Sequence, residues 1–305
     1  MKHKKYLVLL LVTCLQFSVF GQKTSNIPRP KDDVLMRAIG EPKGHVTDFE
    51  FLFSENEIAK LDSLILGFEQ RTTTQIAVVT LGKAQCDKEH FEDYTLRLAN
   101  TWGIGQKEKN NGILIAVSKE FRQIRIHTGK GIEPILSNEE AKQIIDNYFI
   151  PKFKGGTYFE GAKIGLLALT KKLEEKLKKY AESELFVEKI IGLVEQKNIE
   201  ALKQSTTEKI YCYLCFKETP KQEPFVGKQV FYSKHFKTIF DQELIQRLKR
   251  NEKKIFITGK DAAVMVSYTT YRHNEFGDGH EGTQFVFWLK EENGVLKLNG
   301  IETVP

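Results

Sequence analysis

The stretch from Trp102 to Glu133 constrains the fold of this chain more than any other. In about thirty residues it holds a Trp-Gly-Ile-Gly turn, an Asn-Asn-Gly turn, two apolar strands and a Gly-Lys-Gly-Ile-Glu loop. Glycine stands where the backbone must turn sharply or take a positive φ, and the segments between are rich in β-branched residues. Around it, Ser54 with Glu57 forms a capping box. Ile58, Leu61, Leu64, Ile65 and Phe68 follow at helical spacing. Gln75 to Leu81 and Gly112 to Ser118 read as short strands buried on both faces. Between them, His90 to Trp102 reads as a helix with Phe91, Tyr94, Leu98 and Trp102 inward. In the next strand Ile124 and Ile126 alternate with Gln123, Arg125 and His127. Ser137 and Glu140 form a second capping box, opening a helix that carries Ala141, Ile144, Ile145 and Tyr148 inward and ends at Pro151. A long polar helix then runs to about residue 182. This order predicts an α/β sandwich, with helices on both faces of a small mixed sheet and a parallel crossover from Gln75 to Ser118.

The amino terminus reads as a leader. Lys2, Lys4 and Lys5 precede an apolar run from Leu7 to Phe20, too short for a full bilayer crossing, so residues 1–21 are expected to be a signal peptide. The competing reading is a lipoprotein signal with Cys14 acylated. Residues 22–45 carry three prolines and no periodicity, as a tether would. Removing the leader lowers the formal charge from +6 to +3, 43 basic residues against 40 acidic. That near balance argues against nucleic acid as a partner. No later segment has the apolar length of a membrane span, so an exported protein, periplasmic or extracellular, is expected.

Cys86, Cys212 and Cys215 remain, an odd number that excludes a complete disulfide framework. The last two form a Cys-x-x-Cys inside an apparent strand. There, three-residue spacing would put the thiols on opposite faces, so they read as buried thiols and not as a bridge.

With these residues in order, positions 46–172 resemble the TPM domain. That family groups a thylakoid-lumen phosphatase, a photosystem II repair factor and a modulator of acetylcholine receptors. The shared marks are Val46-Thr47-Asp48, Gln75-Ile76-Ala77-Val78-Val79, Trp102-Gly103-Ile104-Gly105 and Asn111-Gly112-Ile113-Leu114-Ile115. Arg125 through Glu133 and Pro151 through Tyr158 complete them. The resemblance implies a sandwich outside the cytoplasm, in some members with calcium or another divalent metal and in some with acid phosphatase activity. Asn110, Asn111 and Glu133 are the candidate metal ligands, because their loops fall at one end of a hairpin. Asp48 joins them by resemblance alone. Arg125, Gly129, Lys130 and Gly131 are candidates to bind an anion. Two positions usually acidic in the family are Asn110 and Asn138 here. Neutral amides weaken a calcium site and serve as neither nucleophile nor base.

Residues 183–305 read as a smaller α+β domain: a helix from Glu184 to Gln204, a Tyr/Cys/Phe-rich strand, a helix from Lys234 to Arg250, then an antiparallel sheet. Its last two strands are joined by Glu292-Asn293-Gly294, a hairpin signal. The element order is faintly similar to NTF2-like folds. His273 to Glu281 reads as a hairpin loop, not a zinc site. The expected boundaries are therefore 1–21, 22–45, 46–182 and 183–305. The expected function is that of an exported accessory or binding protein, acting with an unidentified envelope-protein partner in assembly or quality control. The alternative is a divalent-metal-dependent, acid-phosphatase-like hydrolase with a weakened site.

Overall fold

The computed structural model describes residues 39–218, 220–258, 263–272, 275 and 282–304. The leader, Cys14, most of the expected tether and all of the loop His273 to Glu281 except Glu275 lie outside the described residues. Among the described residues, no helix is long and apolar enough to cross a membrane.

The first sheet is built from β1 (Val46–Asp48), β2 (Gln75–Thr80), β3 (Gly112–Ser118) and β4 (Gln123–Thr128), in that spatial order. β1, β2 and β3 run parallel, and β4 returns antiparallel to β3 with six paired residues and no break in register. Because side chains alternate along a strand, Ile76, Val78, Ile113, Ile115 and Val117 face one layer. Ala77, Val79, Leu114 and Ala116 face the other. Helix α1 (Glu55–Thr72) covers the first face with Leu61, Ile65 and Phe68, and α2 (Phe91–Trp102) covers the second with Phe91, Tyr94 and Leu98. Both capping boxes form as the sequence predicts. From Ile39 the chain already lies on this domain: Ile39 packs on the second face, and the Trp102 indole donates to the Gly40 carbonyl at 2.8 Å.

The helix after Ser137 departs from expectation. Helix α3 (Asn138–Ile144) passes into a π turn at Ile145–Phe149 and continues as α4 (Ile150–Lys154). Proline lacks an N–H and would clash with the carbonyl four residues back, and the widened turn just before Pro151 accommodates both. The extra residue rotates the inward position by one, so Phe149 is buried and Tyr148 is exposed. Phe149 then needs room on the helix it meets. A Cβ at Gly165 would stand 2.2 Å from the Phe149 ring.

That partner is α5 (Tyr158–Glu195), one unbroken helix of 38 residues where the sequence suggested two meeting near residue 183. Leu166, Leu169 and Leu173 pack on the first sheet's core, and Val187, Ile190, Ile191 and Val194 on the second's. Helix α6 (Ile199–Gln204) follows. The second sheet has the order β6 (Phe225–Gly227), β5 (Thr206–Cys212), β10 (Val295–Val304), β9 (Gly282–Glu292), β8 (Ala263–Arg272), β7 (Lys253–Thr258). It is antiparallel except that β5 and β10 run parallel. Asn293 and Gly294 both take positive φ in the β9–β10 turn, as the hairpin signal requires. The expected helix from Lys234 to Arg250 is divided. Short helices α7 (Lys228–Val230) and α8 (Phe236–Ile239) flank a π turn, and Asp241 caps a separate α9 (Gln242–Arg250).

The thiols of Cys212 and Cys215 are bridged, contrary to the strand-face argument. β5 ends at Cys212, and a single 3₁₀ turn at Tyr213–Cys215 brings the second Cα back to 5.4 Å, within bridging reach. The geometry that excludes a bridge applies only while the strand continues.

Two predictions follow from this packing. Gly165→Ala should cost about 1–3 kcal/mol by overpacking against Phe149, read as a lower urea midpoint at unchanged slope. Glu140 is partly buried, which alone would raise its pKa. Hydrogen bonds from Lys176, the Ser137 amide and Lys172 outweigh this and lower it to about 2. A carboxyl depressed in the folded state contributes stability above its unfolded pKa, and that contribution disappears as pH falls from about 4.5 to 2. Glu140→Gln should flatten stability across that window, measured by melts at stepped pH.

Candidate functional site

β4 is the edge of its sheet, and its outer side is open. The Gly129 amide donates to the Gly112 carbonyl at 2.8 Å, which fixes the hydrogen-bonding phase of the β3–β4 ladder. By the alternation of an antiparallel pair, Gln123, Arg125 and His127 bond toward β3. The backbone N–H and C=O groups of Ile124, Ile126 and Thr128 point away from it. Beyond them lies a groove of about 980 Å³, at the upper end of the usual range for ligand clefts. Glu92 and Leu96 of α2 form one wall, and Ala141, Ile145 and Ile150 the other. Leu96 is 47% exposed, an apolar side chain at the groove's rim.

The side chains of β4 are held from both layers. Ile124 and Ile126 pack toward the core shared with α1 and α5. On the other face Arg125 donates to Glu92 at 2.9 Å and to the Ile124 carbonyl at 2.9 Å. His127 Nε2 lies 2.8 Å from Thr95 Oγ1, whose proton goes to the Phe91 carbonyl. The imidazole is therefore the donor, in its Nε2–H tautomer. Burial pushes the His127 pKa below its ordinary value, the nearby Arg125 charge adds to this, and Glu92 opposes it. Neutral His127 and paired Arg125 leave the groove floor with little net charge. The ends differ: Arg122, exposed with φ 55°, precedes β4, and the exposed carboxylate of Glu133 follows it.

Asn110, Asn111 and Glu133 do lie on loops that meet at one end of the sheet. Gly131 donates to the Asn110 carbonyl and Glu133 to the Gly129 carbonyl. Asn111, however, is buried and structurally committed. Its Oδ1 accepts from the Gln106 amide at 2.8 Å, and its Nδ2 donates to the Thr73 carbonyl at 2.7 Å. Asp48 is elsewhere. It pairs in register with Thr80 at the far end of β2, whereas Gln75 at the near end pairs with Gly112, next to Asn111. Five strand steps separate them by roughly 17 Å. Asp48 accepts from the Phe53 amide and the Thr80 hydroxyl. The four candidate ligands thus do not converge on one cation. Among the described residues, no group of three or more His, Cys, Asp or Glu could hold a metal ion.

Of the anion candidates, Arg125 is paired with Glu92, and the amides of Gly129 and Gly131 are spent on Gly112 and Asn110, so only Lys130 remains exposed.

Beside Asp48, Glu50 accepts from the amides of Lys119 and Glu120. Burial, the largest cause, raises its pKa against those two bonds, and the charges of Glu120 and Asp48 raise it further.

Sequence reasoning missed the groove. Ile145 reads as one more inward position of its helix, and Leu96 falls outside the face that Phe91, Tyr94 and Leu98 define. The available signal was β4 itself, a final strand with no Lys, Pro or Gly to blunt its edge.

Residues 46–172 match the family model described as TPM domain. Among solved structures, the N-terminal domain of a protein from P. gingivalis is 34% identical over 44% of this chain and 83% of that one, with a TM-score of 0.39. The BA42 protein from the psychrophilic bacterium Bizionia argentinensis is 21% identical over 42% of this chain and 86% of that one, with a TM-score of 0.38. A chain named Rd1NTF2_05, carrying five substitutions, is 8% identical over 41% of this chain and 99% of that one, with a TM-score of 0.27. No curated protein matches the chain.

Asn111→Ala should cost about 1–3 kcal/mol, because it leaves the Gln106 N–H and the Thr73 C=O without their partner. A lowered thermal midpoint with unchanged circular dichroism at 20 °C or so would register it.

Proposed function

From the premise that residues 46–172 form a TPM domain, we propose that this chain is an exported accessory protein that holds extended segments of envelope proteins during assembly or quality control. The observation that carries this reading is the unblunted edge of β4 along the groove. Three alternate residues, Ile124, Ile126 and Thr128, turn backbone N–H and C=O groups outward toward an added strand, the Ile124 carbonyl being shared with the Arg125 guanidinium, and apolar walls receive the strand's alternate side chains. Such recognition is tolerant of sequence, because the main chain supplies most of the hydrogen bonds. An accessory protein with many clients needs that tolerance. The leader read at residues 1–21 supports an envelope setting.

Divalent-cation binding is a second reading, supported by the exposed Glu133 carboxylate beside the Asn110 loop. It lacks a converging set of ligands, and no catalytic step is derived from it.

The test is photo-crosslinking in an envelope preparation, with a photoreactive amino acid at Leu96 in the groove or at the exposed Leu185 on α5. Adducts to envelope polypeptides from position 96 and not from 185 are the expected result. Equal labelling at both positions would overturn the reading. A calcium titration with Glu133→Ala as control tests the second one.

A further inference from the structure

The groove beside β4 is electrically polar along its length, and it does not stop at Arg122. It continues into a second cavity of about 550 Å³ through the shared residues Arg122, Gln123, Ile124 and Ile150. That cavity is lined by Lys119, Arg122 and Lys154, with Phe153 and Tyr158 as its apolar wall, and no acidic side chain lines it. The Lys119 ammonium stands 5.6 Å over the Tyr158 ring. Of the nearby acids, Glu120 pairs with Lys83 at 2.9 Å, and the Glu50 carboxylate is taken up by the backbone amides of Lys119 and Glu120. Arg122 and Lys154 form no ion pair among the described residues. Three cations therefore surround one end of the groove, and the exposed Glu133 carboxylate stands at the other.

We propose that the groove takes the C-terminal end of an extended polypeptide, laid antiparallel to β4, with its terminal carboxylate held among Lys119, Arg122 and Lys154. This rests on the strand-addition reading above and specifies its ligand. The charges choose the direction. β4 runs from Arg122 toward Glu133, so an antiparallel strand enters at Glu133 and finishes at the three cations. A parallel strand would bring its carboxylate to Glu133 and its amino end to the cations, both repulsive. Length agrees: six residues of β4 span roughly 20 Å, so five to seven residues of the bound strand fill the edge. Arginine and lysine beside an aromatic wall are suited to a carboxylate, through charge-assisted hydrogen bonds in a partly desolvated site.

The experiment uses the full chain and two synthetic peptides, acetyl-Lys-Val-Thr-Val-Thr-Val-Ile with a free carboxylate and the same peptide as its C-terminal amide. Binding is followed through backbone amide shifts of Ile124, Ile126 and Thr128. The free acid should bind about tenfold more tightly than the amide, and Arg122→Gln should cut that preference to about threefold or less while leaving amide binding unchanged. Thr128→Pro removes an outward N–H without touching the β3 ladder and should weaken both peptides. Thermal melts verify that both variants remain folded. If acid and amide bind equally, and Thr128→Pro weakens both, carboxylate capture is overturned while strand addition stands. If neither peptide shifts these amides, strand addition and carboxylate capture fail together.

Discussion

Backbone packed against backbone at one end of the first sheet is the constraint on which the rest depends. A Cβ at Gly112 would lie 1.9 Å from the Ile104 carbonyl oxygen, and one at Gly131 would lie 2.0 Å from that of Lys109. No side chain fits at either position, so the exit of α2, the start of β3 and the loop after β4 interlock with only main-chain atoms between them. That contact fixes where β3 begins and where β4 ends. It thereby sets the ladder phase that turns Ile124, Ile126 and Thr128 outward. A shift of one residue would send those groups into β3 and expose Arg125 and His127 instead.

The walls of the groove depend on a second compromise. Pro151 cannot continue a regular helix, and the π turn before it carries Ile145 and Ile150 along one side of the groove while moving Phe149 into the core. Gly165 on α5 leaves the space that Phe149 fills. The shape of a surface feature is thus determined by a ring buried beneath it.

Much of the first domain was legible because local chemistry and tertiary context agree there. Both capping boxes, the doubly buried strands and the Asn-Asn-Gly turn are local signals that the packing reinforces. The failures share a cause: each needed knowledge of what the segment meets. Spacing from Ser137 placed Tyr148 inward, and only the proline's effect on the turn moves that role to Phe149. The Cys212–Cys215 bridge was excluded by strand geometry that ends one residue too soon. Asp48 was grouped with Asn110, Asn111 and Glu133 by motif, whereas its register with Thr80 puts it at the opposite end of the sheet. Sequence order says nothing about which end of a strand a distant residue reaches. In the second domain, Lys234 to Arg250 has helical periodicity, but its break at Phe240 and Asp241 lets four aromatic rings, from Phe231 to Phe240, pack on one another.

Helix α5 gives the molecule a common axle. At 1.5 Å per residue its 38 residues extend about 57 Å, and Tyr180, near the middle of the helix, packs against both hydrophobic cores. Lys253 of the second sheet pairs with Glu184 and Glu188 of α5, and Lys179 of α5 reaches toward Glu291 on β9. A continuous helix transmits torque and has no hinge to absorb it. The path from one sheet to the other therefore runs through hydrogen-bonded helical backbone and two packed cores, with no intervening loop.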